Sequence, residues 1–213
     1  MIAVVVATLG EYEAVGRGTR SLYERTVCIY SGVGKAYAAA AAMGAANMGA
    51  KAVLNVGLAG GMDPALAVGD VVAVRDAVSY DVDLSAVNGT EIGTLDGDDS
   101  PFIPLCVAEG RKKGAARIGT ADRFADGERD AETLRRLGCA LCDMECAAVA
   151  QICRSVSVPC FAFKVVSDVA SRPSQPGQYA ENAKACLERI VDGIAEWVAE
   201  VEEWLRGRAN GGA

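Results

Sequence analysis

Apolar residues along this chain fall into short blocks separated by stretches of helical period. Seven blocks read as strands: Ile2–Ala7, Val27–Tyr30, Ala52–Val56, Val71–Val78, Ala116–Gly119, Ala140–Met144 and Cys160–Val166. Between several of them lie helix-length segments. Lys35–Met48 is rich in Ala, the best helix former. Arg129–Leu137 is short and charged, whereas Glu145–Ser155 and Tyr179–Arg206 carry apolar residues at helical spacing. Alternating strands and helices predict an α/β fold, a three-layer α/β/α arrangement around a largely parallel sheet. Val71–Val78 follows its predecessor after only a short Gly/Pro-containing connection, so part of the sheet should be mixed. The acidic loop Asp96–Pro101 and the Pro/Gly loop Arg172–Gly177 are too short to separate domains. One domain over residues 1–206 is expected, with a frayed tail at 207–213.

Composition narrows the chemistry. Of the 213 residues 51% are apolar but only 6% aromatic, so Ala, Val and Leu must build the core. The net charge of −7 argues against nucleic acid as a partner. No stretch is apolar enough to predict a membrane span. The N-terminal apolar run lacks a basic leader and a clear cleavage site, and reads as a buried strand. A cytoplasmic protein with reduced thiols is therefore expected. Of the eight cysteines, Cys139 and Cys142 form a lone C-x-x-C with no second pair at metal-site spacing. Cys142, Cys146 and Cys153 have the spacing of one helical face. Histidine is absent altogether. That removes Ser-His and Cys-His nucleophile pairs, His-containing zinc sites and imidazole acid/base chemistry. Asp or Glu with raised pKa values, or Cys, Lys or Tyr, must do any proton transfer near neutrality.

Two Gly clusters end strands: Ser31-Gly32-Val33-Gly34-Lys35 and Gly57-Leu58-Ala59-Gly60-Gly61. Both read as turns that let backbone approach a ligand at the carboxyl edge of a sheet. Neither completes a P-loop or a dinucleotide fingerprint. Three acids interrupt apolar strand ends on that edge: Glu11, Glu145 and Asp168. A bland alternative exists for each. Glu11 and Glu145 suit the N-terminus of a helix, and Asp168 suits a cap.

Taken together, ATLGE (7–11), SGVGK (31–35), NVGLAGG (55–61), VGDVV (68–72), YDVDLSA (80–86), TADRF (120–124), DMECAAVAQIC (143–153) and VPCFAFKVVSDVA (158–170) form an ordered set. On these segments the chain resembles the 5′-methylthioadenosine/S-adenosylhomocysteine nucleosidases of the purine nucleoside phosphorylase-type superfamily. The resemblance implies cleavage of a purine N-ribosidic bond by water, without metal or cofactor. It makes Asp168 the general acid for purine N7, oriented by Ser167. It puts Glu145 on the ribose hydroxyls and Met144 against the sugar. Glu11 activates the water. Phe124 stacks on the base, Ala125 contributes backbone, and Gly60 and Ala59 let the base lie against the chain. The physics agrees: a protonated acid neutralises the leaving purine, and carboxylates stabilise an oxocarbenium-like ribose. The family also implies a homodimer or larger assembly, with Phe102–Cys106 a contributor to a neighbour's site.

The chain departs from the family in places. The stretch between Glu11 and Ser31 is short. Leu58 stands for a Ser, Tyr80 for a His before Asp81, and Ser171 for an Asp; Arg123 makes TADRF bulkier. These departures touch the purine and 5′ pockets, and leave open a futalosine-type nucleoside with a larger 5′ group. A phosphorylase would need a strongly basic anion site. Only Lys35 and Arg75 are at hand, without a matched Arg set. A nucleoside-binding protein without turnover is the remaining alternative.

Overall fold

Strands and helices alternate along the chain in the computed structural model, which describes residues 1–125, 129–170, 172 and 174–210. The order is β1 (Ile2–Val6), α1 (Leu9–Gly18), β2 (Thr26–Tyr30), α2 (Lys35–Asn47), β3 (Ala52–Gly61) and β4 (Val71–Ser79). Then follow α3 (Ser85–Asn88), β5 (Ile103–Pro104), β6 (Ala116–Thr120), α4 (Ala131–Arg136) and β7 (Leu141–Asp143). The chain ends with α5 (Cys146–Ser155), β8 (Cys160–Val169) and α6 (Gln175–Asn210).

The strands form one mixed sheet in the order β2-β1-β3-β7-β6-β4-β5, with β8 pairing both β3 and β4. β1 is parallel to β2 and β3, and β3 is parallel to β8. The antiparallel pairs are β3 with β7, β4 with β5 and β4 with β8. β3, β7, β6, β4 and β8 thus pair in a closed ring. Closure removes free edges from these strands.

Side chains alternate along β1. Ala3 and Val5 join an apolar cluster with α2 and α5, while Ile2, Val4 and Val6 join another with α1 and α6. These two clusters on opposite faces are the expected three layers. The Ala-rich α2 packs closely because Ala38, Ala42 and Ala45, on one helical face, are fully buried. Along α6, Cys186, Ile190, Ile194, Trp197, Val198 and Val201 form the buried stripe. Among the described residues no helix is long and apolar enough to cross a membrane.

The main departure from the sequence reading concerns glycine. Gly57-Leu58-Ala59-Gly60-Gly61 is not a turn: β3 runs straight through it, pairing with β8 and β7. Glycine is depleted in strands, so its presence reads locally as a break. β8 likewise continues beyond Val166 to Val169, which puts Ser167 and Asp168 inside a strand. α6 begins at Gln175 and takes in the last part of the Pro/Gly stretch. Pro176 lies in its first turn, where the missing N–H costs no helical hydrogen bond. The helix also runs through 207–210, the start of the expected frayed tail; 211–213 lie outside the described residues, as does Ser171. Cys142 is on β7, not on a helical face with Cys146 and Cys153.

Candidate active site

Where β3, β7 and β8 meet, the ladder is irregular. Ala59 pairs with Val166, but the next pair is Gly60 with Asp168, leaving Ser167 as an extra residue. Such a bulge re-aims side chains at a strand end. Ser167 Oγ lies 2.7 Å from Asp168 Oδ1 and 3.3 Å from the Ala59 carbonyl. Gln175 Nε2, from the first residue of α6, donates to Asp168 Oδ2 at 2.9 Å. Asp168 is 1% exposed and sits in the strand, so it caps no helix. Burial pushes its carboxyl above the ordinary range, against the Ser167 and Gln175 donors that favour ionisation.

Glu11 takes the helix N-terminal role weighed for it and also faces the neighbouring strand. As the third residue of α1 it completes a capping box with Thr8. Its Oε2 accepts from the backbone N–H groups of Ala7 (3.0 Å) and Thr8 (2.9 Å). Its Oε1 reaches across to β3 and accepts from Leu58 N at 2.8 Å. Gly57 makes that reach possible: a Cβ there would stand 2.7 Å from Glu11 Oε1.

Glu145 makes no side-chain cap on α5. Asp143 accepts from Cys146 N instead, and Glu145 Oε1 accepts from Gly34 N at 2.8 Å. The SGVGK turn therefore holds a carboxylate. Burial, with Asp143 nearby, pushes the Glu145 carboxyl up to about 7; Lys164 and the Gly34 N–H pull the other way. Behind it lies an ion pair that sequence reasoning missed, Lys164 Nζ to Asp143 Oδ2 at 2.9 Å, with side chains only 2% and 1% exposed. Asp143 Oδ1 also accepts from Thr120 Oγ1 at 2.6 Å.

These groups surround one cavity of about 330 Å³. All nine residues singled out in the sequence line it: Glu11, Ala59, Gly60, Phe124, Ala125, Met144, Glu145, Ser167 and Asp168. Phe124 is 42% exposed and packs edge-on against Tyr179 of α6, ring centroids 5.9 Å apart. Tyr179, Val33, Leu58, Arg123 and Cys142 complete much of the wall. Gln175 went unnoticed because the Pro/Gly composition around it resembles a loop, and Tyr179 because it opens a stretch read only as an amphipathic helix. The volume suits a small organic ligand.

Tyr80 does not line this cavity. It is buried with Val78, Ala121 and Leu134, and Arg123 lies 5.1 Å above its ring. It is near the pocket, as the sequence reading placed it, but behind the wall: Ala125 and Cys142 of the same cluster, and Arg123, line the cavity. Of the basic groups, Lys35 binds Asp81 at 2.6 Å and Arg75 binds Asp76 at 3.2 Å. Arg123 is the cation in the cavity wall, and it is paired with Asp130 at 2.6 Å. No cluster of unpaired cations lines the cavity among the described residues.

Comparison with known proteins adds a family. A family model of the phosphorylase superfamily matches residues 5–200. A 5′-methylthioadenosine/S-adenosylhomocysteine nucleosidase of Haemophilus ducreyi is 34% identical over 57% of this chain and 57% of its own length. The match thus spans little more than half of that relative. An aminodeoxyfutalosine nucleosidase of Campylobacter jejuni is 29% identical over 82% of this chain and 83% of its own. Among solved structures, futalosine hydrolase of Helicobacter pylori superposes with a TM-score of 0.81, covering 95% of this chain and 97% of the other at 18% identity. That last likeness is one of fold.

Proposed function

This chain belongs to the phosphorylase superfamily, among its 5′-methylthioadenosine/S-adenosylhomocysteine nucleosidases, and from that premise we propose that it hydrolyses the N-ribosidic bond of a 5′-substituted purine nucleoside. The observation that carries the proposal is the convergence of Asp168, Glu145 and Glu11 on one cavity with Phe124 in its wall. Asp168, whose protonated form burial favours, gives its proton to purine N7 as the C1′–N9 bond breaks. The bonding electrons leave with the neutralised base. Glu145 holds the ribose hydroxyls, and its charge stabilises the cationic sugar. Glu11, fixed by three backbone N–H groups, orients the water that attacks C1′ and takes up its proton. A strongly electrophilic carbon needs only a weak base.

Water rather than phosphate as the nucleophile is supported by the pairing of Arg123, Lys35 and Arg75 with carboxylates. A methylthio- or homocysteinyl-type 5′ group follows the H. ducreyi relative. A futalosine-type group is the second reading, favoured by the longer C. jejuni alignment. We also propose a cytoplasmic homodimer whose site a neighbour completes.

Purified protein would be incubated with methylthioadenosine, S-adenosylhomocysteine, futalosine, aminodeoxyfutalosine, adenosine and inosine, with and without phosphate. Phosphate-independent base release from one of the 5′-substituted nucleosides is expected. Release that requires phosphate would overturn the hydrolase reading. Tight binding without release would identify a nucleoside-binding protein.

A further inference from the structure

The first residue of α6, read from the sequence as part of a Pro/Gly loop, delivers a buried amide to the proposed acid. Gln175 is 5% exposed, and its Nε2 donates to Asp168 Oδ2 at 2.9 Å. Its Oε1 is buried without a hydrogen-bond partner. A glutamine serving only to fasten α6 would not leave an acceptor open in the interior. The opposite wall is shaped around this pair. A Cβ on Gly60 would stand 3.0 Å from Asp168 Oδ2, 3.3 Å from Gln175 Nε2 and 2.8 Å from Cys142 Sγ. Gly60 therefore makes room for the acid and its amide, in addition to any role beside the base.

We propose that Gln175 is a positioning residue that sets the proton affinity of Asp168, giving it a partner in both charge states. While Asp168 is ionised, after the proton has gone to the purine, Nε2 donates to Oδ2. While Asp168 carries the proton, a half-turn of the amide brings the open Oε1 round to accept it. One uncharged side chain offers both functions from a single pivot. The donor lowers the cost of the carboxylate that each turnover creates. It also fixes the carboxyl plane together with Ser167 on the other oxygen.

Among the described residues, Cys142 of β7 and Cys186 and Tyr179 of α6 interact electrostatically with Asp168, and Arg123 and Asp143 line the same cavity. Cys142, Cys186 and Tyr179 are pushed up by burial and stay neutral around pH 7. Glu145 and Glu11 lie farther along the same wall. Gln175 and Ser167 are thus the two uncharged side chains bonded to Asp168, and Gln175 is the one on Oδ2.

The inference rests on Asp168 being the acid, so the tests include readouts that need no turnover. Gln175→Met keeps length and volume but has no donor. Its alkaline limb of kcat/KM should move up by about one pH unit, a tenfold change in proton affinity. The acid limb should stay. kcat should fall while KM holds. The infrared carbonyl band of the Asp168 carboxyl, assigned by its loss in Asp168→Asn, should persist to correspondingly higher pH. In the unaltered protein, the Gln175 side-chain amide resonances should titrate with that band. An unmoved carboxyl in folded Gln175→Met, or amide resonances flat through the Asp168 transition, would overturn the proposal. Failure of the unaltered protein to release base would instead sink the assigned reaction, leaving the infrared and amide titrations to judge Gln175.

Discussion

Replacing Gly57 by Ala tests how tightly Glu11 is held. The new Cβ would stand 2.7 Å from Glu11 Oε1 and 3.2 Å from its carboxyl carbon. Carbon–oxygen contact begins near 3.3 Å, so the carboxylate must retreat by about 0.6 Å. It cannot do so freely. The Leu58, Thr8 and Ala7 N–H groups hold it at 2.8, 2.9 and 3.0 Å. A shift of that size takes at least one of these bonds past hydrogen-bond range. Overpacking costs about 1–3 kcal/mol and a lost charge-assisted bond about 1.5–3 kcal/mol. Because one distortion relieves the other, a net loss of about 2–3 kcal/mol is expected. For a domain of this size that lowers Tm by roughly 4–12 °C. A carboxylate displaced by a fraction of an ångström should also lower kcat at least tenfold. The check is a double-mutant cycle by thermal unfolding and base release. In a Glu11→Ala background the three atoms nearest that Cβ are gone, and Gly57→Ala should then be near neutral. A coupling of about 2 kcal/mol follows. Additive effects, or a single Gly57→Ala with normal Tm and turnover, would refute the claim that this glycine exists for Glu11.

Three further outcomes follow from the same geometry. Asp168→Asn keeps the shape of the side chain but has no proton to give; turnover should fall by about 10²–10⁴-fold while the near-ultraviolet spectrum is unchanged, and undiminished base release would show the acid to be misassigned. Glu145 is held at about 7 against an ordinary 4.5, so the folded state binds its proton more tightly than the unfolded chain. The resulting stability is complete below about pH 4.5 and is lost as pH rises to 7, on the order of 3 kcal/mol. Glu145→Gln should flatten the fall in Tm between pH 5 and 8, and an unchanged slope would count against burial as the cause. Lys164→Met leaves Asp143 as a buried, uncompensated charge, with a loss of about 3–5 kcal/mol in urea unfolding. Adding Asp143→Asn should recover most of it; no recovery would place the cost in packing instead.

Much of the site was legible because the chemistry sits at places the apolar pattern marks. Glu11, Glu145 and Asp168 each interrupt or follow an apolar block, and a charge there stands out. The bland alternatives separated only in three dimensions. Glu145 leaves capping to Asp143, Asp168 lies inside β8, and Glu11 caps α1 while also binding Leu58 N. The glycine cluster was misread because local composition cannot distinguish a turn from a strand that glycine keeps thin. The distinction lies in Glu11, Cys142 and Asp168 across the fold, where a Cβ would collide.

The sequence alone determined the alternation of strand and helix, the Ala/Val core, the absence of imidazole and the carboxylates that must replace it. These are properties of single residues or of neighbours a few positions apart, and periodicity records them. Tertiary structure decided which of those residues meet. The closed strand ring, the bulge at Ser167, the Lys164–Asp143 pair and the place of Tyr80 behind the cavity wall depend on contacts between segments far apart in the chain. The arrival of Gln175 at Asp168, seven residues away, depends instead on how the start of α6 folds back over the end of β8. Strand register has a period of two and is set by partners, so no local stretch of sequence encodes it.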